Sequence, residues 1–383
     1  MRKTRLIFLT AVVATGLLAA SAASGHRPPS RVINWAAESG TLQAKVDQAF
    51  TDAAKTSPGK DFWIGYSIER LQGEHSHTGT FFGGESGPRF TVADVLAGKT
   101  VEPDTAAVDV REAAATALDR IENQNKPEKK ILKELGFFVK YGPGKPPALA
   151  EVGMSDLDLS FDFEGMPLYW LGKAPEGQSL ALVAALYDRN AGEKVREDLI
   201  AAAGCHGTPK LALPFLEKVL GGADPDELRK DAAFWIGQLN DAEGLRLLVR
   251  TARSDRSEEV REGAVFAISE VELPAAADEL IALARGADKR DVRKQAVFWL
   301  GQMASGKSGK VLEEIALKDS DIEVQEHALF ALSELPDNQG LDALIKMAKT
   351  HPDARIRKKA VFWLGESDDP RALDAIIAII KGK

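Results

Sequence analysis

One cysteine, Cys205, stands in a chain of 383 residues. No disulfide can form within a single molecule, so the fold must rest on packing. Positive charge is also in deficit, with 49 Lys and Arg against 57 Asp and Glu. That balance argues against nucleic acid, whose phosphates favour a basic surface. Beyond the N-terminus no stretch is apolar enough to span a bilayer. Familiar catalytic strings are missing as well: there is no GxSxG, no HExxH and no CxxCH for haem attachment. The Gly-Gly pairs at 83–84 and 221–222 lack the spacing of any phosphate loop.

What is present begins with a tripartite leader. Arg2, Lys3 and Arg5 precede an apolar stretch from Leu6 to Ala20, and Ala20-Ser21-Ala22 offers a small-residue cleavage site. The expectation is a cleaved signal peptide over residues 1–22 and a periplasmic or secreted protein, with no membrane insertion after cleavage. Its loss would remove three basic and no acidic side chains. Residues 23–40 read as a flexible lead-in.

An internal repeat dominates the rest. The strings RKDAAFWIGQ, RKQAVFWLGQ and KKAVFWLGES place Trp235, Trp299 and Trp363 at intervals of 64 residues. Aligned on the apolar residue that opens each copy, Leu228, Val260, Val292, Val324 and Ile356 follow one another by 32. Weaker copies open at Val195 and Phe163, giving about seven units over residues 163–383. Each unit carries two helical patterns. In the first, Val292, Ala296, Trp299 and Leu300 share a face, and in the second Leu341, Leu344, Ile345 and Ala348 do. Asp321 and Asp353 are placed to cap first helices. Helix pairs in series predict an α-solenoid.

The period admits several repeats, but the tetratricopeptide spacing of Trp to Leu-Gly and the ankyrin TPLHxA string are absent. DKRDVRKQAVFWLG, with Asp-x-x-Val-Arg before A-x-x-x-LG, resembles the HEAT repeat. More narrowly it resembles the short variety called the phycobilisome-lyase HEAT-like repeat. The order of elements is similar to that of secreted bacterial HEAT-repeat proteins. Such repeats host binding proteins and a few enzymes, so the resemblance implies shape more than activity.

Units alternate as FWIG, FAIS, FWLG, FALS, FWLG, so each Trp is expected in the core beside Ala267 or Ala331 of the intervening units. Lys230, Glu262, Lys294, Glu326 and Lys358 alternate in sign at one repeat position. The residue before each Trp or Ala is aromatic at Tyr169, Phe234, Phe266, Phe298, Phe330 and Phe362. On a helix this position falls on the flank of the core arc. In HEAT proteins the helix carrying Val-Arg lines the concave groove. The resemblance therefore implies a stripe of six rings along that groove, beside Lys230, Glu262, Lys294 and Glu326, gripping an extended polypeptide. Burial of each ring between neighbouring helices is the alternative reading.

Residues 41–162 read as a small α+β domain. TLQAKVDQAFTDAAK and VDVREAAATALDRIENQ are amphipathic helices. FWIGYSIERL is a strand that SHTGTFFGG could pair with, and LGFFVKYGPGKPPALAEVGMSDLDLSF holds two more. Chemistry has few candidates. Cys205-His206 matches apolar or helix-tail positions of the repeat, which favours a structural role over a reactive thiol. His75 and His77, beside Glu74, lack further His to complete a metal site. The composite reading is a protein-interaction scaffold with no cofactor and a protein or peptide partner. A lyase-like enzyme or cofactor-handling protein using the N-terminal domain or Cys205-His206 is the alternative.

Overall fold

The computed structural model describes residues 27–56, 58–74, 78, 90–99, 129–144, 147–189, 192–303 and 308–382. The leader, His75 and His77, nearly all of the SHTGTFFGG segment and the VDVREAAATALDRIENQ helix lie outside the described residues. The chain divides into two compact units, residues 2–212 and Leu213–Lys383.

The first unit is built on a sheet. Its strands are β1 (Val32–Asn34), β2 (Phe62–Gly73), β3 (Lys130–Tyr141), β4 (Leu149–Asp156) and β5 (Leu168–Lys173). They lie in the order β1-β5-β2-β3-β4. β2 and β3 pair antiparallel over their whole length, from Phe62↔Tyr141 to Gly73↔Lys130. β5 runs parallel to both β1 and β2. The central position of β2 explains why its run from Phe62 to Ile68 is buried on both faces. Trp63, Val92, Phe138, Phe163, Leu168 and Trp170 form one core cluster. Around the sheet are α1 (Leu42–Thr56), the short α2 (Val92–Leu96), α3 (Glu176–Arg189) and α4 (Glu193–Gly204). Gly172 sits at φ +79°, and a Cβ there would lie 2.8 Å from Ala36. Only glycine fits that turn of the chain.

Two expectations are corrected here. The copy opening at Phe163 is not a helix. Its YWLG string belongs to β5, inserted between β1 and β2, so the sheet region extends to Lys173 rather than ending near Asp162. Gly165 at φ +71° and Pro167 break any helical run, and the Pro167 carbonyl accepts from Trp63 N–H at 2.8 Å. Second, the lead-in is not all flexible, because Val32–Asn34 form the edge strand β1. The copy opening at Val195 is the expected helix pair, α4 with α5 (Pro209–Gly221).

The second unit repeats the helix pair. First helices are α6 (Asp226–Gln238), α8 (Glu258–Glu270), α10 (Arg290–Met303), α12 (Ile322–Ser333) and α14 (Ala354–Gly365). Second helices are α7 (Ala242–Ser254), α9 (Pro274–Gly286), α11 (Ser308–Lys318), α13 (Leu341–Thr350) and α15 (Pro370–Ile380). The opening residues Leu228, Val260, Val292, Val324 and Ile356 are all buried. Asp321 and Asp353 cap as expected, accepting from Glu323 N–H at 2.9 Å and Arg355 N–H at 2.7 Å.

The residue after each opening apolar one ties units in series. Arg261, Arg293, Gln325 and Arg357 donate to the carbonyls of Asp255, Ala287, Asp319 and His351, each six positions upstream, at 2.6–3.0 Å. These carbonyls lie just past the second helix and would otherwise be orphaned. Arg229 is the most buried of the set, donating to the Leu220 carbonyl at 2.8 Å and pairing with Asp226 and Asp255.

First helices stack directly on one another, more closely than second helices do. The stacking alternates. A Cβ at Gly237 would lie 2.6 Å from the Ala267 carbonyl oxygen, and one at Gly301 would lie 3.0 Å from Ala331 Cβ. Thus α6–α8 and α10–α12 are close junctions of Gly on Ala, while α8–α10 and α12–α14 are wider and admit Trp299 and Trp363. The 64-residue interval is therefore a physical module of two units, one close junction and one wide.

Candidate functional site

The first-helix face carries a continuous ladder of rings. Across the close junctions, Phe234 and Phe266 lie parallel at 6.2 Å, and Phe298 and Phe330 repeat this at 6.4 Å, both with planes 12° apart. Across the wide junctions, Phe266 meets Trp299 at 5.0 Å and Phe330 meets Trp363 at 5.3 Å. Within a helix each Trp stands edge-on to its preceding Phe, at 5.4 Å for Phe234–Trp235 and near 5 Å for Phe298–Trp299 and Phe362–Trp363. Eight rings from Trp235 to Phe362 are thereby joined.

This corrects the placement of the tryptophans. Trp235, Trp299 and Trp363 are half-buried members of the ladder, not core, and the small partner of Ala267 or Ala331 is a glycine. Phe234, Phe266, Phe298 and Phe330 are half-buried, and Phe362 is 52% exposed. They fall between the two readings of the sequence, packed on one another and partly open to solvent. Tyr169 is the exception. It is fully buried on β5, its hydroxyl 3.1 Å from Thr56 Oγ1, and takes no part in the ladder.

The alternating charges lie beside the rings. Lys230 pairs with Glu227 of its own helix at 3.0 Å, and Lys294 reaches Glu323 of the following unit at 3.4 Å. The acids these lysines pair with are Glu227 and Glu323, rather than Glu262 and Glu326 at the lysines' own repeat position. Glu262, Lys294 and Phe298, with Glu258, Arg290 and His327, line an open cleft of about 500 Å³. Burial holds the His327 imidazole below its ordinary value, and Lys294 adds to the effect. Glu326 adjoins His327 in sequence and acts against that shift.

Cys205 and His206 lie in the first unit, buried. Burial pushes the Cys205 thiol above its ordinary value, with Arg70 acting against it. Burial also pulls the His206 imidazole down. His206 Nδ1 lies 2.8 Å from the Ala202 carbonyl, so it carries the proton. Nε2 then accepts from Ser179 Oγ at 2.9 Å, and Ser179 Oγ accepts from Tyr66 OH at 2.9 Å. All three side chains are buried and their protons are committed to one another. A Ser–His contact of this length looks like a nucleophile with its base. Here it locks a helix to the sheet. Sequence reasoning missed the chain because Tyr66 and Ser179 are 113 residues apart. Among the described residues, no group of three or more His, Cys, Asp or Glu is placed to hold a metal, and no helix is long and apolar enough to cross a membrane.

Comparison with known proteins bears on the helical unit. No curated protein sequence matches the chain. Human deoxyhypusine hydroxylase, solved with glycerol, is similar at 16% identity over 52% of this chain and 84% of its own, with a TM-score of 0.24. The E. coli protein YibA is similar at 20% identity over 53% and 76%, with a TM-score of 0.33. The CpcE–CpcF complex of phycocyanin lyase from a Nostoc species is similar at 21% over 51% and 79%, with a TM-score of 0.29. These likenesses are too loose to bear on function. Residues 213–301 and 309–383 match the family model for HEAT repeats, so the chain carries a HEAT-type helical solenoid beside its sheet region.

Proposed function

We propose that the protein is an extracytoplasmic interaction scaffold that holds an extended polypeptide along the first-helix face of its solenoid. One observation carries this reading: the ladder from Trp235 to Phe362 leaves a run of partly exposed rings down one face, beside charged side chains and a cleft of about 500 Å³. Half-exposed aromatic rings in a row are poorly solvated and are the residues that most often anchor protein partners. HEAT repeats are in general protein-interaction modules, which supports the coarse reading. The leader at residues 1–22 supports a periplasmic or secreted location.

We read the protein as a non-enzyme without a cofactor. The thiol of Cys205 is buried and disfavoured as thiolate, which weighs against it as a nucleophile. The scaffold reading is tested with Phe298→Ser and Phe330→Ser. Each removes a half-buried ring and is expected to cost about 1–3 kcal/mol while leaving a cooperative melt. Partners cross-linked in the extracytoplasmic fraction should fall away from both variants. Undiminished capture by two folded variants would contradict the reading.

A further inference from the structure

One buried titratable chain plays no part in the scaffold reading. In the sheet unit, Tyr66 of β2, Ser179 of α3 and His206, just past α4, are 1%, 0% and 3% exposed. With the imidazole neutral, their hydrogen bonds run in one direction only. His206 Nδ1 donates to the Ala202 carbonyl at 2.8 Å, which leaves Nε2 as an acceptor. Ser179 Oγ donates to Nε2, and Tyr66 OH donates to Ser179 Oγ, both at 2.9 Å. Every polar hydrogen of the three side chains is then used.

A proton added at Nε2 turns the chain around. His206 must then donate to Ser179, and Ser179 to Tyr66, so the phenol hydrogen needs a new acceptor. Among the described residues the Tyr66 hydroxyl bonds only Ser179, and its ring lies flat on Phe137 at 5.4 Å, with planes 10° apart. Phe137, from β3, also covers His206 at 5.2 Å. Among the described residues, two charged side chains bear on the imidazole. Glu176 of α3 favours the cation but is engaged by the Gly207 and Thr208 N–H groups. Arg70 of β2 opposes it, donating to the Cys205 carbonyl at 3.0 Å, with Asp156 of β4 3.9 Å from its guanidinium. From α4 come the Ala202 and Ala203 carbonyls, and the adjacent Cys205 is a buried neutral thiol. An imidazolium here therefore costs both a hydrogen bond and its hydration.

We propose that this chain is an acid-sensitive latch: in mildly acidic solution, protonation of His206 frees α3 and the end of α4 from β2. The sign follows from the two states. The latched form keeps His206 neutral, and the released form opens it to water, where an imidazole takes up a proton at about pH 6.5. Acid therefore favours release by about tenfold per pH unit below that value, until the latched form itself takes up the proton. Above it neither form binds the proton, and the balance does not depend on pH. The latch lies in the sheet unit and stands or falls independently of the scaffold reading.

Hydrogen exchange on the full chain, corrected for the intrinsic pH dependence of exchange, tests the latch. Protection of β2 and α3 should fall between about pH 7 and about pH 5.5 in the parent protein. In His206→Gln, whose amide does not titrate, protection should be flat over the same range, whatever the variant's overall stability. Should that variant fold poorly, NMR of isotope-labelled histidine in the parent carries the test. The folded protein should show His206 as the neutral Nδ1–H tautomer at about pH 6, where exposed imidazoles are mostly cationic. An imidazolium at position 206 in the folded protein at that pH, protection of β2 and α3 that ignores pH, or the same fall in His206→Gln would each overturn the proposal.

Discussion

Successive units of the helical repeat are joined along two faces by different chemistry. On the second helices the ties are exposed ion pairs between neighbouring units: Arg250–Glu217 at 2.9 Å, Arg285–Glu314 at 2.7 Å, Lys346–Glu313 at 2.6 Å and Arg371–Asp342 at 3.3 Å. On the first helices ion pairs such as Arg261–Asp291 and Lys294–Glu323 are joined by a ladder of rings in contact, which the second helices lack among the described residues. Exposed ion pairs are individually worth less than about 1 kcal/mol, but they are fully compatible with water. The ladder leaves ring edges that water solvates poorly. The difference separates a face compatible with water from a face with poorly solvated rings, and it supports the proposal that a partner lies along the first helices.

The comparison is tested most heavily at the arginines. Arg229 is buried, and Arg229→Met would leave the Leu220 carbonyl without its guanidinium donor and the Asp255 carboxylate without its ion-pair partner, with only the Ser257 N–H still donating to it. Denaturant titration should show a loss of about 3–5 kcal/mol. Arg250→Met, which removes an exposed pair on the second helices, should cost under about 1 kcal/mol. Equal losses would erase the distinction between joints that hold the solenoid and pairs that only dress it.

A smaller effect sharpens the ladder itself. Trp299→Ala should cost about 2–3 kcal/mol, less than a fully buried Trp because the side chain is half-exposed. A double-mutant cycle with Phe266→Ala should return a coupling of about 0.5–1.5 kcal/mol, the range for aromatic pairs. Strict additivity would leave the rings as independent surface groups rather than a joined ladder.

Much of this was legible in the sequence because each unit faces the same local demands. An apolar residue opens every first helix, an Arg or Gln after it caps the preceding second helix, and a Gly or Ser closes it. Those requirements recur every 32 residues and can be counted. The Tyr169 copy shows the limit. YWLG differs from the helical string FWLG only by Tyr for Phe, yet β5 is set by pairing to β1 and β2 at distant positions, which no local pattern encodes. The tryptophans show another. Large beside small was the right principle, but the alternation is between junction spacings. Gly237 and Gly301 meet Ala, and the Trp residues take the wider gaps. Whether a flank position is buried or open depends on the spacing to the next unit, which the residues of one helix do not reveal. The Tyr66–Ser179–His206 chain left no sequence signal, since its members meet only in the folded sheet unit.

The central claim is that a polypeptide partner lies along the first helices. A photo-cross-linking amino acid placed at Phe298, and separately at Lys346 on the second helices, tests it most directly in cells producing the protein. Cross-linked partner should appear from position 298 and be absent or far weaker from position 346. Cross-linking from position 346 alone would contradict the account.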